Sequence, residues 1–573
     1  MKMAHIAASA CIAAFACSSG PAQTITIPGY FVETVITGLD LPTTMAFIGD
    51  DELLVLEKNT GKVKHYLNST FQGTALDLIV ANNGERGLLG ICLHPDFAQN
   101  GLVFLYYSNG DEKGGTWLDN RVERFVWDGA VLTYESTIIV FPFDPLFDQF
   151  NGPWHNAGIL RIGPDEKLYI ITGDLGRGAL GFAGAYRTIE QNGNNWRVAG
   201  VGGIHRLNLD GSIPTDNPFF YHKDDRIKTY ISYGNRNSFG FAFDPLTGRL
   251  WETENGPEVY DELNVIDFGF NGGWTKIMGP DYRDAEYVQN LQTAYDAEDL
   301  IYLKGAYYGD PVFSWLDPIG VTAIQFLSSI KFGQNERGNV LIGDVNTRQL
   351  YLFEVNEARD GVVLLPGTED GVADTDAERD QYAVGSGWGI TTDLQLGPDG
   401  YIYTVSLTLG SIFRIRPEMD PFVPESFTVF RGLLLSGGLP DLFESDDSRL
   451  VVQTGQFAPS TQPPVQIEVT GTSPTETTSE LRFRFEGMAS RAFIERRISL
   501  YNYVTQSYEE LHVGMAATSD EVIEIVVTTN ASRFVEPGTR QVKSLMTWRA
   551  AAISFFTGWN VGIDQTIWTV RVQ

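Results

Sequence analysis

Residues Tyr233–Asn264 read YGNRNSFGFAFDPLTGRLWETENGPEVYDELN, which is the pattern of one hairpin with its polar groups gathered at one end. Phe239, Phe241 and Phe243 alternate with small residues, Asp244-Pro245-Leu246-Thr247-Gly248 supplies a turn, and Leu250 to Thr253 returns as a strand. Arg236 and Asn237 precede the first strand, while Glu254-Asn255-Gly256-Pro257 and Asp261-Glu262 follow the second, so both clusters fall at the same end. A rigid hairpin with a loaded rim is a common way to build a site.

The same unit recurs. Met45–Val55, Ile91–Tyr107, Leu160–Ile170, the hairpin above, Gln325–Ile342 and Leu396–Tyr403 each read as apolar strand, Gly/Pro/Asp turn, and a strand rich in aromatic and β-branched residues. Six such units, irregularly spaced and with no sustained helical period between them, predict an all-β fold, a six-bladed β-propeller over residues 30–417, with long insertions on the ligand face. A large β-sandwich is the alternative. After Arg416-Pro417 the turn motif stops and prolines break the chain, so a second domain is expected over residues 421–573. There Val465–Val469, Glu480–Phe485, Val522–Thr528 and Ile567–Val572 alternate apolar and polar residues, as an accessory β-sandwich would.

The 573 residues carry 72 Asp and Glu against 41 Lys and Arg, a net charge of -31, which argues against a nucleic-acid partner and supplies hard oxygen ligands for calcium. Residues 1–22 join Lys2, an apolar run from Ala7 to Ala16, and small residues at Gly20 and Ala22, the pattern of a secretory signal peptide. Export to the periplasm or the medium is therefore expected, with lipid anchoring at Cys17 as the less favoured reading. No apolar run reaches the roughly 20 residues of a spanning helix, so no integral membrane domain is expected. Cleavage near Ala22 leaves Cys92 alone among the cysteines, which excludes an internal disulfide framework.

Trp154-His155-Asn156 stands before the strand of the third unit as Arg236-Asn237 stands before that of the fourth. An imidazole beside an Arg-Asn pair suits proton abstraction from a hydroxyl with stabilisation of a developing oxyanion; a capped structural histidine is the alternative. Gly256-Pro257 lies in an acidic neighbourhood, where a turn is the plain reading and carbonyl ligation of Ca²⁺ the sharper one. Glu85-Arg86 and Arg348 read as further rim charges. No C-x-x-C, P-loop, H-E-x-x-H or G-x-S-x-G occurs, so zinc, nucleotide and serine-esterase chemistries have no support.

Taken in order, GERGLLGICLHPDF (Gly84–Phe97), HNAGILRIGPDEKLYIITGD (His155–Asp174), GVGGIHRLNLDGSIPTDNPF (Gly200–Phe219), the opening stretch, and GPDGYIYTVSLTLGSIFRIRP from Gly397 resemble the glucose/sorbosone dehydrogenase family. These are soluble aldose dehydrogenases that use pyrroloquinoline quinone (PQQ) and Ca²⁺. The resemblance implies that His155 takes the proton of the sugar C1 hydroxyl while hydride passes to the quinone. It implies that Arg236 and Asn237 hold the quinone carbonyl region and that the Gly256 and Pro257 carbonyls bind Ca²⁺. Glu85 falls where the family has a glutamine near the sugar, Arg348 where it has a cofactor-clamping lysine, and Trp154 where it has an acid. At Ile390-Thr391-Thr392, PQQ enzymes commonly present arginines that this chain lacks. The implied partners are a small-molecule sugar and an unknown electron acceptor. Two other readings stand beside this one: a cofactor-free propeller binding carbohydrate or protein, and Ca²⁺-assisted lactone or ester hydrolysis.

Overall fold

The computed structural model describes residues 22–142, 154–176, 200–286, 295–455, 462–551 and 558–572. Of the expected leader, residues 1–22, the first 21 residues, Cys17 among them, lie outside the described residues. The chain divides into two compact units, one formed by Met1–Pro28 with Val32–Ile415, the other by Gly29–Phe31 with Arg416–Gln573. Both are all-β in character.

In the first unit the strand-turn-strand segments form antiparallel pairs. Pro42–Gly49 pairs with Glu52–Glu57, Leu88–Leu93 with Leu102–Gly110, and Leu160–Ile162 with Leu168–Thr172. Ser238–Phe243 pairs with Leu250–Glu254, Val321–Phe326 with Val340–Asp344, and Thr391–Leu396 with Ile402–Ser406. Each pair belongs to a different sheet, giving six sheets of four to six strands. The strands are apolar on both faces because both faces are covered. Leu54 and Leu56 pack into the cluster shared with the second sheet, whereas Leu53 and Val55, one residue out of phase, pack with Val405 and Ile412 of the sixth.

The first strands of the sheets meet at their starts: Thr43 Oγ1 donates to Leu88 O at 3.0 Å, Thr322 Oγ1 to Thr391 O, and Thr44 Oγ1 to Asp393 Oδ2 at 2.5 Å. Arg161 of the third sheet reaches Asp393 of the sixth at 3.1 Å, which closes the centre with an ion pair. Residues just before a first strand and just after a second strand therefore share one end of the unit, and the turns between them lie at the other.

The recurrent turn aspartate has a physical job. Asp399 Oδ1 accepts the Tyr401 N–H, while its Oδ2 accepts the Tyr403 hydroxyl at 2.7 Å and Arg414 Nη1 at 3.1 Å. Asp165 does the same with the Lys167 N–H, the Tyr169 hydroxyl and Arg206 Nε, and Asp244 with the Leu246 N–H, Thr247 and Arg359. Each locks its turn and ties it to a distant arginine, on another strand for Arg414 and Arg206 and in a bend for Arg359.

Two features are absent from the sequence pattern. Thr24–Ile25 adds to the fifth sheet against Ala383–Ser386, and Tyr30–Ile36 lies beside Ser411–Pro417 in the sixth. Short parallel strands, Phe270–Asn271, Tyr307–Tyr308 and Val372–Ala373, widen the third and fourth sheets.

The second unit has two antiparallel sheets around one apolar core containing Trp548 and Trp568. Val465–Thr472 turns Val465, Ile467 and Val469 into that core, and Leu481–Ala489 does the same with Leu481, Phe483 and Phe485. No helix among the described residues is long and apolar enough to cross a membrane. Cys92 is buried in the first unit, where burial pushes its thiol up to about 12.

Candidate functional site

The third sheet begins in an unusual backbone. His155 and Ala157 have φ of 58° and 48°, both in the left-handed region, and Gly158 follows at 109°. This turn puts His155 Nδ1 2.6 Å from Asp174 Oδ1, two residues beyond the end of Leu168–Thr172. The Asp174 side chain is fully buried, and it also accepts the Gly176 N–H at 2.7 Å and the Trp274 indole N–H at 2.8 Å. Burial pushes the Asp174 carboxyl upward, but His155, the Trp274 bond and the Arg236 charge outweigh that and hold it below the usual carboxylate range. The carboxylate therefore stays ionised, fixes Nδ1 as the protonated nitrogen of the neutral ring, and leaves Nε2 with its lone pair free to accept a proton.

Arg236 is joined to this pair through the main chain, because its carbonyl accepts the Asp174 N–H at 2.9 Å. Its guanidinium lies over the Trp274 ring at 5.5 Å and donates from Nη1 to Asn255 O at 3.0 Å. Arg236 Nε and Asn237 Oδ1 are buried without a hydrogen-bond partner among the described residues. Asn237 Nδ2 donates to Glu85 Oε2 at 3.3 Å, and the same oxygen accepts the Asn156 N–H at 3.1 Å. Glu85, His155, Arg236 and Asn237, which lie far apart in the sequence, are thus brought into one cluster drawn from three sheets.

Gly256 and Pro257 follow Asn255 and so adjoin the Arg236 guanidinium. An added Cβ at Gly256 would stand 2.0 Å from Tyr260 O and 2.3 Å from Val259 O, so backbone carbonyls crowd this loop. The Gly256 N–H donates to Asp261 Oδ1 at 3.0 Å, and burial pushes the Asp261 carboxyl up to about 6. Arg348 sits at the same end, in the turn before Gln349–Phe353, with φ of 60°. Its side chain is exposed and makes no hydrogen bond or ion pair among the described residues; no contact joins it to the His155 cluster. At the start of the sixth sheet, Thr391 is fully buried with its carbonyl on Thr322, and Thr392 Oγ1 donates to Pro42 O at 3.2 Å, so these side chains serve packing between sheets.

The family profile for glucose/sorbosone dehydrogenase matches residues 39–414. The chain belongs to the glucose/sorbosone dehydrogenase family. Aldose sugar dehydrogenase YliI of Escherichia coli K12 is 28% identical over 393 residues, covering 68% of this chain and 93% of that protein. Quinoprotein glucose dehydrogenase B of Acinetobacter calcoaceticus is 32% identical over 268 residues, covering 44% of this chain and 53% of that one. In fold, the crystal structure of a glucose dehydrogenase-type oxidoreductase from Thermus thermophilus matches with a TM-score of 0.51 at 24% identity, covering 68% of this chain and all of that one.

Sequence reasoning missed Asp174, Trp274 and Glu252, and placed Glu254 in the rim cluster without a partner. Glu254 Oε1 accepts the Arg236 N–H at 2.5 Å, while Asn235 Nδ2 donates to Glu254 and to both oxygens of Glu252 at 2.8 to 3.0 Å. Burial pushes Glu252 up to about 8 and Glu254 well above the carboxylate range, the latter with help from the Glu252 charge. Lys58, just past Glu52–Glu57, was missed too. It donates to Gly84 O at 2.7 Å, and burial lowers its ammonium to about 8. Both Asp174 and Lys58 follow a second strand, as Gly256 does, and that position was the available clue.

Proposed function

We propose that this family member is an exported six-bladed β-propeller, with residues 421–573 as an accessory β-sandwich, that oxidises the C1 hydroxyl of an aldose using PQQ and Ca²⁺. The observation that carries the reading is the His155–Asp174 pair standing beside an arginine and an asparagine that each keep one buried polar atom, Nε and Oδ1, without a partner among the described residues. Orphaned buried groups are costly unless a ligand completes them.

The residues present fit the cofactor. Arg236 Nε offers a donor to a quinone oxygen, Asn237 Oδ1 an acceptor to an N–H or hydroxyl of the cofactor or sugar, Arg348 is an unengaged cation suited to a carboxylate, and the carbonyl-crowded Gly256-Pro257 loop suits a hard cation. When bound, PQQ supplies the hydride acceptor and Ca²⁺ polarises it. His155 Nε2 takes the hydroxyl proton, and Asp174 stabilises the imidazolium that results. Trp274 holds Asp174 in place and backs the Arg236 guanidinium. Glu85 borders the sugar side through its contacts with Asn156 and Asn237.

The test is reconstitution of the purified protein with PQQ and Ca²⁺, followed by reduction of an artificial acceptor with a panel of aldoses. Turnover that vanishes in His155→Ala while the bound cofactor's absorbance remains supports the assignment. Absence of bound quinone at micromolar PQQ refutes it. That outcome favours a binding module, the reading to which the cation-free Ile390-Thr391-Thr392 stretch points.

A further inference from the structure

We propose that Tyr106, Asn120 and Glu85 are positioning residues for His155, acting on it from the second sheet through Asn156. This rests on the reading of His155 as the base. The motivating observation is the pair of left-handed, non-glycine residues at His155 and Ala157 flanking a fully buried Asn156. Such a conformation is costly for a residue with a Cβ, and it persists only where surrounding groups over-determine it.

Those groups come from one sheet. Glu85 Oε2, in the loop before the first strand of the second sheet, accepts the Asn156 N–H at 3.1 Å. The Tyr106 hydroxyl, on Leu102–Gly110, donates to Asn156 O at 3.0 Å. Asn120 Nδ2, on Trp117–Trp127, donates to Asn156 Oδ1 at 3.0 Å, and its own Oδ1 accepts the Trp117 indole N–H at 2.9 Å, which fixes the direction of the amide. Tyr106 and Asn120 are fully buried, so neither reaches a substrate. The residue after the base is therefore gripped at its N–H, its carbonyl and its side chain. On the other side, Asp174 holds the imidazole itself. The loop that carries Glu85 is anchored in turn by Lys58 Nζ on Gly84 O.

The second sheet thus sets the backbone and the third sets the ring. If the grip on Asn156 is loosened, the turn relaxes toward ordinary φ and the imidazole leaves Asp174. Groups that only stabilised the fold would not act on His155 selectively.

The experiment reads His155 directly, without the cofactor. Full-length protein is treated with diethylpyrocarbonate, and modification of each histidine is followed by peptide mass spectrometry, with the other histidines as internal reference. Tyr106→Phe, which removes one hydroxyl, and Asn120→Asp, which turns the donor into an acceptor, are expected to change the His155 rate relative to the others by about fivefold, the population shift that about 1 kcal/mol of released strain produces. Glu85→Ala should do likewise, and Glu85→Gln, which keeps an acceptor on the Asn156 N–H, should restore the wild-type rate. Variants that melt cooperatively yet leave His155 reactivity unchanged overturn the proposal, whatever their melting temperature. In reconstituted enzyme, Tyr106→Phe and Asn120→Asp should lower kcat with KM for the sugar unchanged. A wild type that binds no PQQ, with variants that still show these reactivity changes, would refute the proposed function and leave the positioning intact.

Discussion

Replacing Glu252 by glutamine is expected to stabilise the first unit at neutral pH and to change little at pH 4. Glu252 is fully buried, and its two oxygens lie 2.8 and 3.0 Å from Asn235 Nδ2, which stands 2.9 Å from Glu254 as well. The bonds to Glu252 from Asn235, Ser238 and Asn264 favour its charged form but do not offset its burial. Burial, reinforced by the Glu262 charge, pushes Glu252 from 4.5 up to about 8. An acid raised in this way binds more protons folded than unfolded between those values, so stability is greatest below pH 4.5, falls as pH rises, and levels off above 8. At pH 7 the cost is about 3 kcal/mol, from ~1.4 kcal/mol per pH unit above the unfolded value. Glutamine keeps the shape and an acceptor for Asn235 but has no proton to take up. The variant should therefore melt roughly 4 °C higher than wild type at pH 7 for a unit of this size, with the gap closing toward pH 4. Differential scanning calorimetry of the full chain across that range measures the gap. A variant that melts lower than wild type at pH 7, or a gap independent of pH, would show that Glu252 is ionised in the folded protein and would refute the reasoning.

Asp174→Asn should lower turnover of the reconstituted enzyme by about 10²–10⁴-fold, because the amide no longer fixes the His155 tautomer. Since the Asp174 carboxyl is held below its usual range, its stabilisation is present above about pH 4 and lost as pH falls further, so the stability difference between variant and wild type should shrink in acid melts. Asp399→Ala strips the Tyr403 hydroxyl and Arg414 of their shared partner at a cost of about 1–3 kcal/mol, read as faster hydrogen exchange across Thr391–Leu396 and Ile402–Ser406. Gly256→Ala drives a Cβ to within 2.0 Å of Tyr260 O, and calorimetric titration should show loss of Ca²⁺ binding.

The hairpins were legible because local chemistry and tertiary environment agree in them. Leu53 to Leu56 reads as a strand whichever face is examined, since both faces are buried, and the aspartate turns carry their own side-chain bonds. Closure of the fifth sheet by Thr24–Ile25 was not legible, because its register with Ser386 and Gly385 is set across more than 350 residues and two-residue strands leave no periodicity to read. In the site, Glu85, His155, Arg236 and Asn237 were legible as polar residues standing before first strands. Asp174 escaped because a lone aspartate after a strand looks like any turn residue; only the fold places it under an imidazole.

The acids at 252 and 254 are the more instructive failure. Trp251-Glu252-Thr253-Glu254 alternates as a half-wet strand does, and the sequence shows Glu252 only as part of that strand and Glu254 only as part of the rim cluster. Both are buried, with 0% and 1% exposure, turned onto Asn235 and the Arg236 N–H. A strand that breaks its own pattern at a stability cost is expected where the broken pattern holds functional groups. Here the carboxyls hold the Asn235 side chain and the Arg236 N–H, the Arg236 carbonyl fixes the Asp174 N–H, and Asp174 fixes His155. The instability predicted for Glu252 at neutral pH and the fixed direction of the His155 ring are therefore two consequences of one arrangement, in which the fourth sheet gives up folding energy and the third sheet receives a rigid imidazole.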